Sequence, residues 1–302
     1  MVGVDATLFY RLISRSKILS WLFGHVVGLF IIADQRYHNA FDIILTVDVE
    51  PGYIKKDTEE RVWEYKVPKD KKGYTKGLEA VYDLCDEYNI PATLFISNQC
   101  KKINLRKDKK FEYGAHLHIR KDADDLTLAE QKQEIRKLKR FVERKACRVV
   151  KSFRWGAWGA NTQTWKILSD LGFKYDSSVC PGCKGERTSY DWRKYRDFHG
   201  NTIEKMHDLL IVPCTTAWFG KWFRMDPCYL GILDAGFKEY LRKEKTTVFV
   251  IATHSSEMIY EDGSKSANYY YLERFIKKAL SNPRVKFIKI EDINEKDIIS
   301  IR

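Results

Sequence analysis

Ile43-Ile44-Leu45-Thr46-Val47-Asp48-Val49-Glu50 is the stretch on which the fold turns. Its first five residues are apolar or β-branched, as a strand buried on both faces requires, and two acids close its C-terminal end. Side chains two apart on a strand share a face, so Asp48 and Glu50 can face one pocket while Val47 and Val49 pack outward. Barrel enzymes carry their active groups at such C-terminal strand ends. Acids that merely leave a strand for solvent would look the same, so the stretch gains meaning from what else in the chain ends like it.

Outward from 43–50 the pattern alternates. Residues 91–97 (PATLFIS), 111–118, 149–154, 174–179, 209–212, 247–253 and 285–290 read as short apolar strands. Between them, 73–88, 127–147, 161–171, 230–243 and 267–280 read as amphipathic helices. Thr127 and Glu130 form a capping box before the second helix, Asn161 opens the third, and Gly172 ends it. Strands alternating with helices predict a parallel sheet with crossover helices, and one barrel over 41–302 rather than two domains. No internal repeat interrupts it.

The chain of 302 residues is 44% hydrophobic and 14% aromatic, so it can bury a large core and is not a disordered polymer. Its net charge of +12 fits nucleic acid, an anionic membrane, an acidic substrate or simply a lysine-rich surface. The basic run KKINLRKDKK (101–110) has no nucleic-acid-binding motif beside it, so no nucleic-acid partner is expected. Seven scattered cysteines argue against a disulfide framework and for a reducing, cytoplasmic setting. Cys180-Pro-Gly-Cys183 has no second CxxC and reads as a tight turn bearing two thiols. At the N-terminus, Arg11, Arg15 and Lys17 precede the apolar run ILSWLFGHVVGLFIIA (18–33). The run falls short of the ~20 residues a spanning helix needs, and no small-x-small cleavage site follows. A packed helix, an interfacial anchor and an uncleaved signal anchor all fit. The favoured expectation for 1–40 is a helical segment that packs on the barrel or makes peripheral membrane contact.

Three further strand ends carry chemistry. In Tyr113-Gly114-Ala115-His116-Leu117-His118 both imidazoles fall on one face, where a pair can chelate a divalent ion. Two histidines and one carboxylate leave open positions for water and substrate. The competing account is a structural pair of core histidines. Phe153-Arg154-Trp155-Gly156-Ala157-Trp158-Gly159 supplies an arginine able to grip a carboxylate by two hydrogen bonds and lower its pKa. Its glycines allow close backbone approach to a substrate, and Trp155 and Trp158 offer flat faces for sugar rings; a tight turn with buried aromatics is the alternative. Val248–Glu257 ends a buried strand in His254, a candidate general acid. A lone histidine is more often structural, and only its coincidence with the other strand ends raises it.

Four strands ending in this way resemble the polysaccharide deacetylase family, carbohydrate esterase family 4, and most of all its lipopolysaccharide- and capsule-biosynthesis branch. The resemblance extends over about residues 41–292. It implies a deformed (β/α) barrel in which LTVDVE provides the catalytic base Asp48 and a metal-binding acid, transferred to Glu50 because Val49 fills the usual second-acid place. GAHLH keeps the first family histidine at His116. Arg120 stands at the usual second place, so His118 is taken as the substitute ligand. FRWGAWGAN keeps Arg154 as the residue holding the base but lacks the family's proline. YDSSV (175–179) and THSSE (253–257) also look like the family, with His254 as the acid. The tryptophan-bearing fourth motif falls on Trp218, after VPCTTA, or on Asp191-Trp192. The resemblance implies a metal-dependent hydrolase, with zinc the expected ion, removing acetyl groups from N-acetylated sugars of a cell-surface glycan or its precursor. A catalytically silent carbohydrate-binding protein on the same fold is the alternative, motivated by the HLH spacing and the missing proline.

Overall fold

The computed structural model describes residues 41–63, 73–119, 121, 123–182, 203–218, 222–228, 231–242 and 248–293. The N-terminal segment 1–40, Arg120, Cys183 and the Asp191-Trp192 pair lie outside them. Cys85, Cys100, Cys147, Cys214 and Cys228 are free thiols.

The sheet is built from β1 (Phe41–Val49), β4 (Ala92–Ser97), β5 (Phe111–Leu117), β6 (Ser152–Trp155), β7 (Tyr175–Asp176), β8 (Glu204–Met206), β9 (Leu209–Ile211), β12 (Val248–His254) and β13 (Val285–Ile288). Its order is β12-β1-β4-β5-β6-β7-β9-β8, with β13 beside the first half of β1. All pairings are parallel except the edge pair β8–β9. Helices α1 (Gly73–Glu87), α2 (Leu128–Ala146), α3 (Thr162–Asp170), α4 (Ile232–Arg242) and α5 (Ala267–Leu280) make the crossovers. The capping boxes at Thr127 and Asn161 are both formed. Two hairpins that the sequence pattern did not suggest join them: β2 (Gly52–Ile54) with β3 (Arg61–Trp63), and β10 (Thr216–Trp218) with β11 (Trp222–Arg224). Each strand is only three residues long, too short for a period to register.

Alternation along the strands divides the chain into an inside and an outside. On β1, Ile43, Leu45, Val47 and Val49 belong to the core under the helices, while Ile44 lies in a second, interior cluster with Phe95, Val250, Ile288 and Ile290. Asp48 and Glu50 follow Ile44 at steps of two and share its interior face. The barrel closes imperfectly. Beyond β9 the backbone of Thr215 donates to Val250 O (3.0 Å), and its hydroxyl accepts from Val250 N (2.7 Å). Ala252 N donates to Met225 O (3.0 Å). Single bonds from irregular backbone thus satisfy the free edge of β12 where a ladder would close a regular barrel, and this is the deformation expected.

The predicted strand over 174–179 shortens to two residues for a visible reason. Ser178 Oγ, not a backbone carbonyl, accepts from Trp155 N (2.9 Å), and Ser177 turns its carbonyl to Arg154. Strand pairing is exchanged there for contacts to the site.

One close approach links the helical layer to the site end. A Cβ on Gly77 of α1 would stand 2.4 Å from Ser255 O, and the Ser255 hydroxyl bridges Glu50 N (3.2 Å) and Glu50 O (3.3 Å). Gly77→Ala gains about 1 kcal/mol of helix propensity, but the clash is with backbone and costs about 1–3 kcal/mol. The urea midpoint of Gly77→Ala is therefore expected to fall, while Glu79→Ala, exposed on the same helix, leaves it unchanged.

Candidate active site

Arg154 leaves β6 on the interior face and is fully buried. Its guanidinium donates from Nη1 to Asp48 Oδ1 (2.8 Å), and from Nη2 to Thr46 Oγ1 (2.8 Å) and Ser177 Oγ (2.9 Å). Nε donates to Ser177 O (3.1 Å). The expected two-bond grip on Asp48 is thus corrected to a single bond, because the second Nη is drawn to two hydroxyls. Phe95 covers the guanidinium face at 4.3 Å. Burial alone would raise the pKa of Asp48, but Arg154, with His116 and His254, outweighs it and holds the carboxyl below its ordinary value.

The single bond leaves Asp48 Oδ2 facing the pocket, 3.9 Å from His116 Nε2 and 3.7 Å from His254 Nε2. Glu50 Oε1 lies 2.8 Å from His116 Nε2 and 3.6 Å from His118 Nε2. The structure therefore brings Asp48, Glu50, His116, His118, Arg154 and His254 together at the C-terminal end of the barrel.

Glu50 Oε1 and His116 Nε2 are spaced as two donors to one divalent ion, with His118 Nε2 3.6 Å from the same oxygen. Among the described residues, however, the three ligand atoms that all lie within 4.8 Å of one another are those of Asp226, His254 and Glu257. His116 Nδ1 donates to Arg154 O (3.2 Å), the outer bond that turns a ligating Nε2 toward its ion. Two donors ~2.1 Å from one ion at right angles stand about 3 Å apart, close to the Glu50–His116 separation of 2.8 Å. His118 meets a condition: its Nδ1 lies 3.4 Å from Gln99 Nε2, and ligation through Nε2 needs the Gln99 amide turned so that its oxygen accepts there. The close approach at Gly156 serves this imidazole and not a substrate, since a Cβ there would sit 2.8 Å from the His118 ring.

Four partners of the site escaped the sequence reading. Arg61, on β3, donates from Nη2 to Glu50 Oε2 (2.9 Å) and from Nη1 to Glu257 Oε1 (2.8 Å). Glu257 Oε1 also lies 3.3 Å from His254 Nδ1. Burial opposes the Glu257 charge, but His254 and Arg61 bring its carboxyl down to about 2. Asp226 is fully buried and accepts from Arg224 Nε (3.1 Å). Asp226, His254 and Glu257 are near enough to hold an ion themselves. Asp226 is bonded by Arg224, and Glu257 shares Arg61 with Glu50. Glu257 lay within a quoted motif and could have been suspected. Arg61 lies in a polar stretch without pattern and gave no signal.

The tryptophans separate. Trp155 is 1% exposed and packs in the helical layer against Phe153, so no face is open to a sugar. Strand alternation sends it away from Arg154. Trp158 is half-buried, with its ring near both Arg154 (5.8 Å) and Arg224 (5.6 Å). The Trp218 side chain lies outside the described residues.

A family model described as WbmS-like polysaccharide deacetylase matches residues 75–213. That segment is similar to the polysaccharide deacetylase family that the motifs resemble. Solved structures with the same fold include a candidate polysaccharide deacetylase from Mycobacterium smegmatis (14% identity, TM-score 0.57, 89% of this chain and 95% of that one). A second is the Puue allantoinase (13%, 0.57, 83% and 88%). A third is a candidate polysaccharide deacetylase from Pseudomonas aeruginosa PAO1 (14%, 0.53, 83% and 89%). At these identities they speak for the fold alone. No curated protein matches.

A titratable group stands behind Arg154. Asp176 accepts from Trp165 Nε1 (2.9 Å) and Ser178 N (3.2 Å), fixing the turn whose Ser177 holds the guanidinium. Burial pushes its carboxyl up to about 6. A raised carboxyl means that the folded chain binds the extra proton. Its stability contribution is full below the ordinary aspartate value of ~4 and is lost as pH rises through about 6. The urea midpoint of the wild type relative to Asp176→Asn is expected to fall across that window; a constant difference would contradict it.

Proposed function

We propose that this chain is a metal-dependent hydrolase that removes acetyl groups from N-acetylated sugars of a cell-surface polysaccharide or its precursor. The gathering of two carboxylates, three imidazoles and a buried guanidinium from four strand ends supports that reading. The family match and the resemblance to the lipopolysaccharide and capsule branch motivate the substrate class. Glu50, His116 and His118 would hold the ion, with zinc the expected one given two imidazoles and a carboxylate. When bound, such an ion polarises a carbonyl and lowers the pKa of water to ~7.

Asp48 is the base. Arg154 occupies Oδ1 and fixes the carboxylate plane, so Oδ2 receives the proton of the attacking water. His254, facing Asp48 through Nε2 and Glu257 through Nδ1, is the acid. It donates the Nε2 proton to the departing sugar nitrogen as the carbon–nitrogen bond breaks. The water oxygen ends in acetate, and the sugar leaves as an amine. Trp158, beside Arg154, is the sugar-facing aromatic in this reading, with Trp218 a second candidate.

Silent sugar binding is the second reading, and one contact favours it. Arg61 already places a cation on Glu50, as a residue replacing a metal would. Elemental analysis separates the two, because a binder can lack metal.

In acetate-release assays on an N-acetylated oligosaccharide, Asp48→Asn is expected to lose 10²-fold or more, the order typical of general-base loss. Chelation should abolish the remainder, and Glu50→Gln should not retain stoichiometric zinc. Acetate release that survives both chelation and Asp48→Asn refutes the mechanism.

A further inference from the structure

The positive charge of the chain is not spread evenly. Segments 101–110 and 136–151 hold fourteen lysines and arginines against only Asp108 and Glu143, which equals the whole net charge of +12. The fold joins them. Arg148 donates from Nη1 to Phe111 O (2.7 Å) and from Nη2 to Asp108 O (3.1 Å), tying the end of α2 to the loop that enters β5. The end of α2 and the end of the 101–110 loop lie at the N-terminal end of the strands, opposite the candidate site, whereas Lys101 and Lys102 follow Cys100, whose thiol donates to Val49 O at the site end.

Most other basic side chains of the described residues are neutralised locally. Outside the two segments Lys56, Arg61, Lys132, Arg274, Lys277 and Lys278 pair with acids, and within them Arg106, Lys110, Lys137 and Lys151 do as well. Arg140, Arg144, Lys107 and Lys109, all exposed, pair with no described acid. Arg140, Arg144 and Arg148 line a groove of about 520 Å³ together with Glu143 and Val149. Guanidinium forks are the side chains best matched to phosphate oxygens.

Two features select among anionic partners. Val149, at the groove, is 66% exposed, and Leu280, closing α5 at the same end of the barrel, is 39% exposed. The basic and then apolar stretch from Arg11 to Ala33 precedes Phe41, which starts β1 at this same end. Apolar side chains among uncompensated cations suit a lipid surface better than a glycan or a nucleic acid, which offer charge with no hydrocarbon. We propose that this end of the barrel docks on an anionic phospholipid membrane, with the exposed Arg140 and Arg144 beside Val149 seating a headgroup phosphate and the candidate site turned away from the lipid.

The test is co-sedimentation of the full chain with phosphatidylcholine vesicles containing or lacking phosphatidylglycerol, at low and high salt. Binding should require phosphatidylglycerol and weaken with salt. Each basic group near such a surface is worth roughly fivefold in affinity, so Lys107→Glu, Lys109→Glu, Arg140→Glu and Arg144→Glu together should weaken it by at least about 100-fold. Should that variant fail to fold, Arg140→Gln with Arg144→Gln, expected to lose roughly 25-fold, replaces it. Equal binding to neutral vesicles, or binding unchanged in the folded variants, overturns the proposal. Retention of duplex DNA or an acidic polysaccharide without vesicle binding also overturns it. None of these outcomes depends on the deacetylase reading, which has its own assay.

Discussion

The buried pair of Arg154 and Asp48 is the constraint around which the site is arranged. Placing a guanidinium and a carboxylate inside a barrel is unfavourable unless their remaining hydrogen-bonding capacity is met. Arg154 has one bond to Asp48, and Thr46 and Ser177 meet its other needs. Those partners in turn fix their strands. Thr46 donates to Ile251 O (2.6 Å) on β12, and Ser177 N donates to Phe153 O (2.8 Å) on β6. One guanidinium therefore ties β1, β6, β12 and the turn after β7 into a single register, and the carboxylate is aimed by the same bonds. Removing Arg154 would leave Asp48 buried without its strongest counter-charge, so its structural and functional parts would fail together.

A second polar knot closes the opposite end. Glu112 accepts from Thr93 Oγ1 (2.8 Å), from the Ser152 hydroxyl and from Glu291 N (3.0 Å), while Ile290 N donates to Thr93 Oγ1 (3.0 Å). Burial raises the Glu112 carboxyl above its ordinary value despite these donors. The interior is thus an apolar layer of Ile44, Phe95, Val250 and Ile288 held between two hydrogen-bonded ends. This suits a barrel that lacks a regular closing ladder, because interior polar bonds do part of the work of strand pairing.

Much of this was legible because the strand period is two. Asp48 with Glu50, and His116 with His118, share the interior face as their spacing requires, and the long helices with capping residues begin where their caps stand. The same rule, carried one residue further, sends Trp155 away from Arg154 into the helical layer. What stayed hidden was tertiary. Arg61 reaches Glu50 only because the short β2–β3 hairpin folds over the barrel mouth, and three-residue strands carry no readable period. Asp226 follows β11 and bonds Arg224 two residues before it, a pairing that i, i+2 spacing permits but does not announce. The chain supplied the interior groups in its pattern and the outer partners only in its fold.

The outer partners also set the charge balance of the site. Among the described residues, four buried carboxylates line the site: Asp48, Glu50, Asp226 and Glu257. Three guanidinia face them. Arg154 bonds Asp48, Arg224 bonds Asp226, and Arg61 is shared between Glu50 and Glu257. One carboxylate's worth of negative charge is left over, and it falls at Glu50 Oε1, the oxygen nearest His116 and His118. Burial disfavours the charged imidazole of His116, but Asp48 and Glu50 outweigh it and raise its pKa. In the proposed reading, a divalent ion held by Glu50, His116 and His118 would meet that leftover charge and exceed it by one, leaving a site with a net attraction for an oxyanion. Arg61 thus restrains the site. It bonds Glu50 through Oε2 and Glu257 through Oε1, and it leaves Glu50 Oε1 facing His116 and His118.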